Sequence, residues 1–262
     1  MIYKENVNAK LNLSLAITGR VDSGYHTLDT VMQTVTLSDT VTLEVTRGDT
    51  ITAPLGPRDL CHKAARLFLR QIGQTADVRV SYDKQIPSQA GLGGGSGDAA
   101  AVLRVLSRHF AGAVNRQELL KIALLVGADV PFCLCGGTKR CSGFGEEMED
   151  VAAPNRHYVI VKPPFGVVTA AAFAAWDRLG AVKQDKSVRN DFERVIDHAD
   201  LPHIKATLMK HGAEYATLTG SGSAVFGSFE MKDDGFFAAV AELSKRQDYR
   251  VFQAETAEAY EF

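Results

Sequence analysis

The run Pro87, Ser88, Gln89, Ala90, Gly91, Leu92, Gly93, Gly94, Gly95, Ser96 and Gly97, closed by Asp98-Ala99-Ala100, is the most restrictive stretch of the chain. It follows a short alternating segment, Val78 to Tyr82. It precedes one in which Ala99, Val102, Leu103 and Leu106 recur at helical spacing, with Phe110 extending the stripe. A strand must enter this loop and an amphipathic helix must leave it. Glycine lets backbone N–H groups approach a ligand without side-chain obstruction. The helix that follows adds unpaired N–H groups and the positive end of its dipole. Together these favour a polyphosphate. The bland alternative is a flexible surface linker, but a linker is out of place between an apolar strand and a strongly amphipathic helix. No Gly-Lys-Ser or Gly-Lys-Thr closes the loop, so it is not a Walker loop. The dinucleotide spacing is not met cleanly, and the protein-kinase signatures are absent.

Around the loop the periodicity switches. Val7, Ala9, Leu11, Leu13, Leu15 and Ile17 alternate with Asn8, Lys10, Asn12, Ser14 and Thr18, the period of a half-buried strand. Lys10 and Asn12 therefore share the polar side, and on spacing alone Lys10 reads as a solvated lysine on an exposed sheet face. Asp22-Ser23-Gly24 ends the strand as a turn. Val31 to Val45 reads as a second strand, and Ala64 to Phe68 as part of a helix. Asn115 and Glu118 open another helix in the manner of a capping box. Its stripe is Leu119, Ile122, Ala123 and Val126, and Gly127 is a natural stop. Asp129, ahead of Pro131, suits a helix N-cap.

The composition loosens at Ala153-Pro154-Asn155, which sets an expected boundary between domains 1–153 and 154–262. Beyond it Tyr158 to Val161 reads as a strand and Ala170 to Trp176 as a helix. Glu214 to Leu218 and Ala224 to Ser228 read as strands flanking a glycine turn. Phe236, Phe237, Val240 and Leu243 mark a late helix. Strands and helices mix without regular βαβ alternation, so the expected class is α+β, not a doubly wound sheet. The length of 262 residues agrees with two small domains or one large one, at roughly 150 residues each.

Lys plus Arg number 29 and Asp plus Glu 31, a formal net charge of −2. No basic field is available, so nucleic acid is not the expected partner. A small phosphorylated ligand still fits, because a site can be locally positive. The weakly polar run Val167 to Trp176 is too short to span a bilayer. The N-terminal residues MIYKENVNAK carry no apolar signal core. These features predict a cytoplasmic protein that spans no membrane and keeps its thiols reduced. Cys133, Cys135 and Cys141 lack a partnered C-x-x-C pattern, so with Cys61 they read as buried thiols and not as zinc ligands.

The glycine run resembles the phosphate loop of the GHMP kinases. Four more segments match in the family's order: Ala9-Lys10-Leu11-Asn12-Leu13 its opening strand motif, Gly24-Tyr25-His26 its substrate motif, Gly127-Ala128-Asp129-Val130-Pro131-Phe132 its catalytic aspartate motif, and Thr219-Gly220-Ser221-Gly222-Ser223 its third glycine motif. Singly only the long loop is specific; in combination the segments are highly specific. The resemblance implies a two-domain α+β fold, with an N-terminal domain like ribosomal protein S5 and a ferredoxin-like C-terminal domain. It also implies phosphoryl transfer from ATP, with Mg²⁺, to an alcohol. Residues Pro87 to Gly97 would hold the nucleotide, Asp129 would take the hydroxyl proton, and Lys10 would lie beside it.

The triple glycine and Tyr25-His26 are closest to the branch whose small-molecule substrate carries a cytidine diphosphate group. By that resemblance Tyr25 stacks on the cytosine, the His26 segment hydrogen-bonds its edge, and Asn12 joins the substrate site. Phe173, one helical turn after Thr169, would cover the other face of the base, or else belong to the core. Other readings are a different small-alcohol kinase of this fold, or a nucleotide-binding protein without activity. Tyr25-His26 speaks against the first, and the joint presence of Lys10 and Asp129 against the second. A monomer and a homodimer are both compatible. The chain departs from the pattern at Asn8, where proline is usual, and at Ser96-Gly97, where a serine pair is usual. Gly97 leaves the metal ligands unassigned. The asparagine expected near Asp59-Leu60 is also missing.

Overall fold

The computed structural model describes residues 1–22, 24–180 and 187–261. Ser23, part of the expected turn, lies outside the described residues. The chain begins with two long strands, β1 (Ile2–Arg20) and β2 (His26–Thr46), followed by β3 (Ile51–Thr52), α1 (Leu60–Ile72) and β4 (Asp77–Asp83). Then come α2 (Gly94–His109), α3 (Arg116–Val126), α4 (Val130–Cys135), β5 (Thr138–Gly143) and β6 (Glu147–Asp150). The remaining elements are β7 (His157–Lys162), α5 (Thr169–Arg178), α6 (Asp200–Lys210), β8 (Tyr215–Leu218), β9 (Val225–Phe229), α7 (Asp234–Leu243) and β10 (Arg250–Glu255).

β2 organises the first sheet. One of its edges pairs with β1 along nearly its whole length. The other edge is shared: Leu28 to Gln33 pair with β5, and Thr40 to Thr46 with β4. The second sheet is antiparallel in the order β10-β7-β9-β8. With α5 and α6 between β7 and β8, and α7 between β9 and β10, this is a βαββαβ, ferredoxin-like unit. The fold is the expected α+β arrangement. Among the described residues no helix is long and apolar enough to cross a membrane.

Local chemistry accounts for the helix limits. Asn115 accepts from the Glu118 N–H at 3.0 Å while the Glu118 carboxylate accepts from the Asn115 N–H at 2.8 Å, so the expected capping box is formed. Asp59 caps α1 through the Cys61 N–H at 2.9 Å, and Gly73 ends it in the left-handed region.

Three apolar clusters hold the chain. One lies between the first sheet and α1–α4, around Phe68, Leu103 and Phe132. A second lies under the second sheet, around Trp176, Phe192 and Phe236. The third joins the sheets and contains Ala90, Leu92, Tyr158 and Phe226. β1 contributes to all three: Val7 to the first, Ala9 and Leu11 to the joining cluster, Leu15 and Ile17 to the second. The apolar side of the alternation is therefore core, as its period predicts. The polar side is not solvated, contrary to what spacing alone would suggest: Lys10 is 4% and Asn12 2% exposed. The loops that carry the site cover it.

Candidate active site

The site is assembled along the outer edge of β1. A register shift between Asn12 and Ser14 moves the outward N–H groups from residues 8, 10 and 12 to residues 15 and 17. Each of the five is satisfied from elsewhere. Asn8 N–H donates to the Tyr260 hydroxyl at 2.8 Å, Lys10 N–H to Leu92 O at 3.0 Å, and Asn12 N–H to Thr219 Oγ1 at 3.0 Å. Leu15 N–H donates to Arg189 O at 2.7 Å and Ile17 N–H to Asp191 Oδ2 at 2.8 Å. The free edge of one strand thus fixes two glycine loops against each other.

Lys10 sits where those loops meet. Its Nζ donates to Asn12 Oδ1 at 2.6 Å and lies 3.4 Å from Asp129 Oδ2. A buried ammonium is tolerated only when paired and hydrogen-bonded, and these two groups meet that need. Asn12 in turn donates from Nδ2 to Thr30 Oγ1 at 2.8 Å. Asp129 occupies the N-cap position of α4, with Pro131 in the first turn, but its carboxylate makes no capping hydrogen bond. It is 40% exposed and faces both Lys10 and the cleft.

The phosphate-loop segment divides into parts with different work. Ala90 and Leu92 are buried in the joining cluster. Gln89 O accepts from Val167 N–H at 3.2 Å and Ala90 O from Ala224 N–H at 3.2 Å, which ties the loop to the second sheet. At Gly91, φ is +75° and an added Cβ would lie 2.0 Å from Thr219 O, so only glycine allows the two loops to touch. Gly93, in the left-handed region, caps α2, which carries no acidic residue in its first turn. The first N–H groups of α2 are therefore left for a ligand. Gly97 stands apart from the expected binding set: it does not line the cleft, and an added Cβ would lie 2.5 Å from Val7 Cγ1. α2 packs too closely on β1 for a serine there.

One cleft of about 1030 Å³ connects these groups. Beside Gly94 and Gly95 its wall is formed by Leu60, Ile86 and Lys84. Lys84 Nζ donates at 2.5 Å to both Asp39 and Asp98. Burial pushes the Asp98 carboxyl up to about 6 against the pull of Lys84, and its Oδ1 has no partner. Asp59, where the asparagine is missing, also lines this wall, and the Tyr82 hydroxyl donates to it at 3.1 Å.

At the other end Tyr25 is 69% exposed and meets Phe144 edge-on, at 6.0 Å between centroids. His26 donates from Nε2 to Asp177 at 2.7 Å, and Arg20 pairs with the same carboxylate at 3.3 Å. The His26 hydrogen bond holds the Asp177 carboxyl below the usual range. The ring of His26 stacks on Phe173, with centroids 4.5 Å apart and planes 14° apart. One face of Phe173 is taken by His26, and Phe192 packs edge-to-face against it at 4.9 Å. Thr169 Oγ1 shares a hydrogen bond of 3.0 Å with Ser221 Oγ.

Thr219, which opens the third glycine motif, is wholly buried and joins Asn12 to Gly91. Other residues of the site had no local signature. Asn190 donates from Nδ2 to Leu218 O at 2.8 Å and Gly220 O at 2.9 Å, holding the third glycine loop. Phe144 and Asp177 reach the cleft from a turn and a helix end.

All four cysteines are free and buried. Burial pushes the thiols of Cys133 and Cys141 up to about 12. The native protein is expected to react slowly with Ellman's reagent at pH 8, and to yield four thiols once unfolded in guanidinium. Rapid native reaction of even one thiol would contradict this packing.

A profile of the GHMP kinases N terminal domain matches residues 59–137. The 4-diphosphocytidyl-2-C-methyl-D-erythritol kinase of Clostridium tetani (strain Massachusetts / E88) is 38% identical over 86% of this chain and 90% of its own length. The kinase of the same name from Desulfitobacterium hafniense (strain Y51) is 36% identical over 95% of this chain and 94% of its own. A crystal structure of 4-(cytidine 5'-diphospho)-2C-methyl-D-erythritol kinase superposes with a TM-score of 0.82 at 29% identity, covering 97% of this chain and 100% of that one.

Proposed function

The chain belongs to the GHMP kinases, among the 4-diphosphocytidyl-2-C-methyl-D-erythritol kinases, and from that premise we propose that it uses ATP to phosphorylate the 2-hydroxyl of 4-diphosphocytidyl-2-C-methyl-D-erythritol, a step of the non-mevalonate isoprenoid pathway. The observation that carries the reading is the Lys10–Asp129 pair, 3.4 Å apart, where two glycine loops converge on one cleft. Asp129 accepts the proton of the attacking hydroxyl. The Lys10 ammonium, held by Asn12, stabilises charge on the phosphoryl group in transit. Gly91 to Ser96 and the start of α2 receive the phosphates of ATP through backbone N–H groups. Positioning and electrostatics are what such a transfer asks of a protein.

Two groups suit Mg²⁺: the Ser96 hydroxyl in the cleft and the unpartnered Oδ1 of Asp98. Among the described residues no cluster of three or more His, Cys, Asp or Glu side chains forms a metal cage. That is the usual state for Mg²⁺, which takes one or two protein groups and completes its shell with phosphates and water. When bound, the ion neutralises charge on the phosphates. The division at residue 153 follows the same reading, since the first sheet ends with β6 at Asp150 and the second begins with β7 at His157.

ADP release with the cytidyl alcohol, homoserine and mevalonate as acceptors tests the assignment. Turnover is expected with the cytidyl compound alone; activity only on another alcohol would leave the family and remove the substrate. Tyr25 is the exposed aromatic platform for the base. Stacking is worth about 1–3 kcal/mol, so Tyr25→Ala is expected to raise KM for the cytidyl substrate by about tenfold to a hundredfold. The contact exists before and during reaction, so kcat should change little. Phe173→Ala should act in the same direction through the loss of support under His26. An unchanged KM in Tyr25→Ala would remove the platform.

A further inference from the structure

The first of the five anchored N–H groups of β1 belongs to Asn8, a position where proline, with no N–H to donate, is usual in the GHMP kinase pattern. Here that group has a dedicated acceptor, the Tyr260 hydroxyl, at 2.8 Å. Tyr260 lies in the C-terminal tail, which runs back across the first sheet. Ala257 N–H donates to Thr34 O at 2.8 Å, Ala259 bridges to Gly136, and Tyr260 N–H donates to Cys135 O at 2.7 Å. The Tyr260 ring lies 3.8 Å from the guanidinium of Arg104. Arg104 is 1% exposed, pairs with Glu5, and donates to Cys133 O at 2.9 Å. At Gly136, φ is +68° and an added Cβ would lie 2.9 Å from the Tyr260 ring, so glycine lets the tail seat this closely.

One residue thus grips two elements at once. It holds β1 two residues before Lys10. It also holds the C-terminal carbonyls of α4, the helix whose N-cap is Asp129, directly and through Arg104. We propose that Tyr260 is a positioning residue: it sets the separation of Lys10 and Asp129 from outside the cleft, without touching substrate. The proposal rests on those two residues being the reacting pair. Misplacing a reacting group by about 1 Å can cost about a hundredfold in rate, so a small slip of β1 against α4 has a large effect.

Tyr260→Phe and Asn8→Pro each remove the same hydrogen bond. Each is expected to lower kcat about threefold to tenfold, with KM for ATP and for the alcohol within about twofold. The double variant should be no slower than the slower single, because both lose one shared interaction. Tyr260→Ala also removes the ring beside Arg104, and should lower kcat about tenfold to a hundredfold. Single variants that lower only the melting temperature, or a double variant that multiplies the single effects, would overturn the proposal. A crystal structure of Tyr260→Ala, or of Tyr260→Phe should the first not fold, reads the geometry without any assay. The Lys10–Asp129 separation is expected to pass the roughly 4 Å limit of an ion pair in Tyr260→Ala, and to lengthen in the same sense in Tyr260→Phe. An unchanged separation overturns positioning. A lengthened one in a protein that phosphorylates no alcohol supports positioning and sinks the functional reading alone.

Discussion

Asp129→Asn lowers turnover by about a hundredfold to ten-thousandfold, the range for removal of a general base. The carboxamide keeps the shape of the side chain and cannot take the proton. Folding should be little affected. The carboxylate makes no capping hydrogen bond to α4 and is 40% exposed, so its replacement leaves no buried group orphaned. Lys10 loses an ionic neighbour and keeps Asn12 at 2.6 Å. Calorimetric affinity for ATP should stay near that of the parent, since the phosphate loop is untouched. Steady-state ADP release together with a melting curve checks both halves of the expectation. Turnover within a factor of a few of the parent would mean that another group takes the proton.

Gly93→Val abolishes ATP binding and turnover together. Two effects add. At φ +71° a residue with a side chain is strained, by roughly 1–2 kcal/mol for the left-handed conformation and more when β-branched. The new Cβ would also stand 2.8 Å from Lys10 Cγ and 3.3 Å from Lys10 Cε, so it displaces the ammonium as well as crowding the phosphates. Gly95→Ala is the informative comparison. Its Cβ meets nothing nearer than Leu60 Cδ1 at 3.9 Å, so it should fold normally and weaken ATP only where the side chain enters the cleft. Titration calorimetry with ATP separates the two variants. Parent-like affinity in Gly93→Val would reduce the loop to a spacer.

Much of the fold was legible because the signals were local. β1 alternates, the glycine run stands between a strand and an amphipathic stripe, and the Asn115–Glu118 box names its own helix end. What was illegible is equally physical. α4 has six residues, all buried, so no polar side exists to give it a period. β5 carries Lys139 and Arg140, which disguise a strand; their charges are matched by Asp150 and Asp29 on neighbouring strands. Spacing alone would make Lys10 solvated, because alternation tells which side a residue takes, not what covers that side; it took the motif resemblance to place Lys10 beside Asp129. Asn190 and Tyr260 act across long stretches of chain, and neither leaves a pattern around itself. The spacing of Thr169 and Phe173 found a helix face at the cleft but could not foresee His26 occupying the ring.

A strand of nineteen residues with an open edge is, in a solitary sheet, a template for association with other chains. Proteins usually guard such an edge with charges, prolines or bulges that serve no other purpose. Here the guard is the set of segments that frame the cleft: Leu92, Thr219, Arg189, Asp191 and Tyr260 occupy the N–H groups of residues 8, 10, 12, 15 and 17, which a foreign strand would need. Solubility and activity then share one set of bonds. Substitutions that loosen these anchors should lower activity and promote aggregation together.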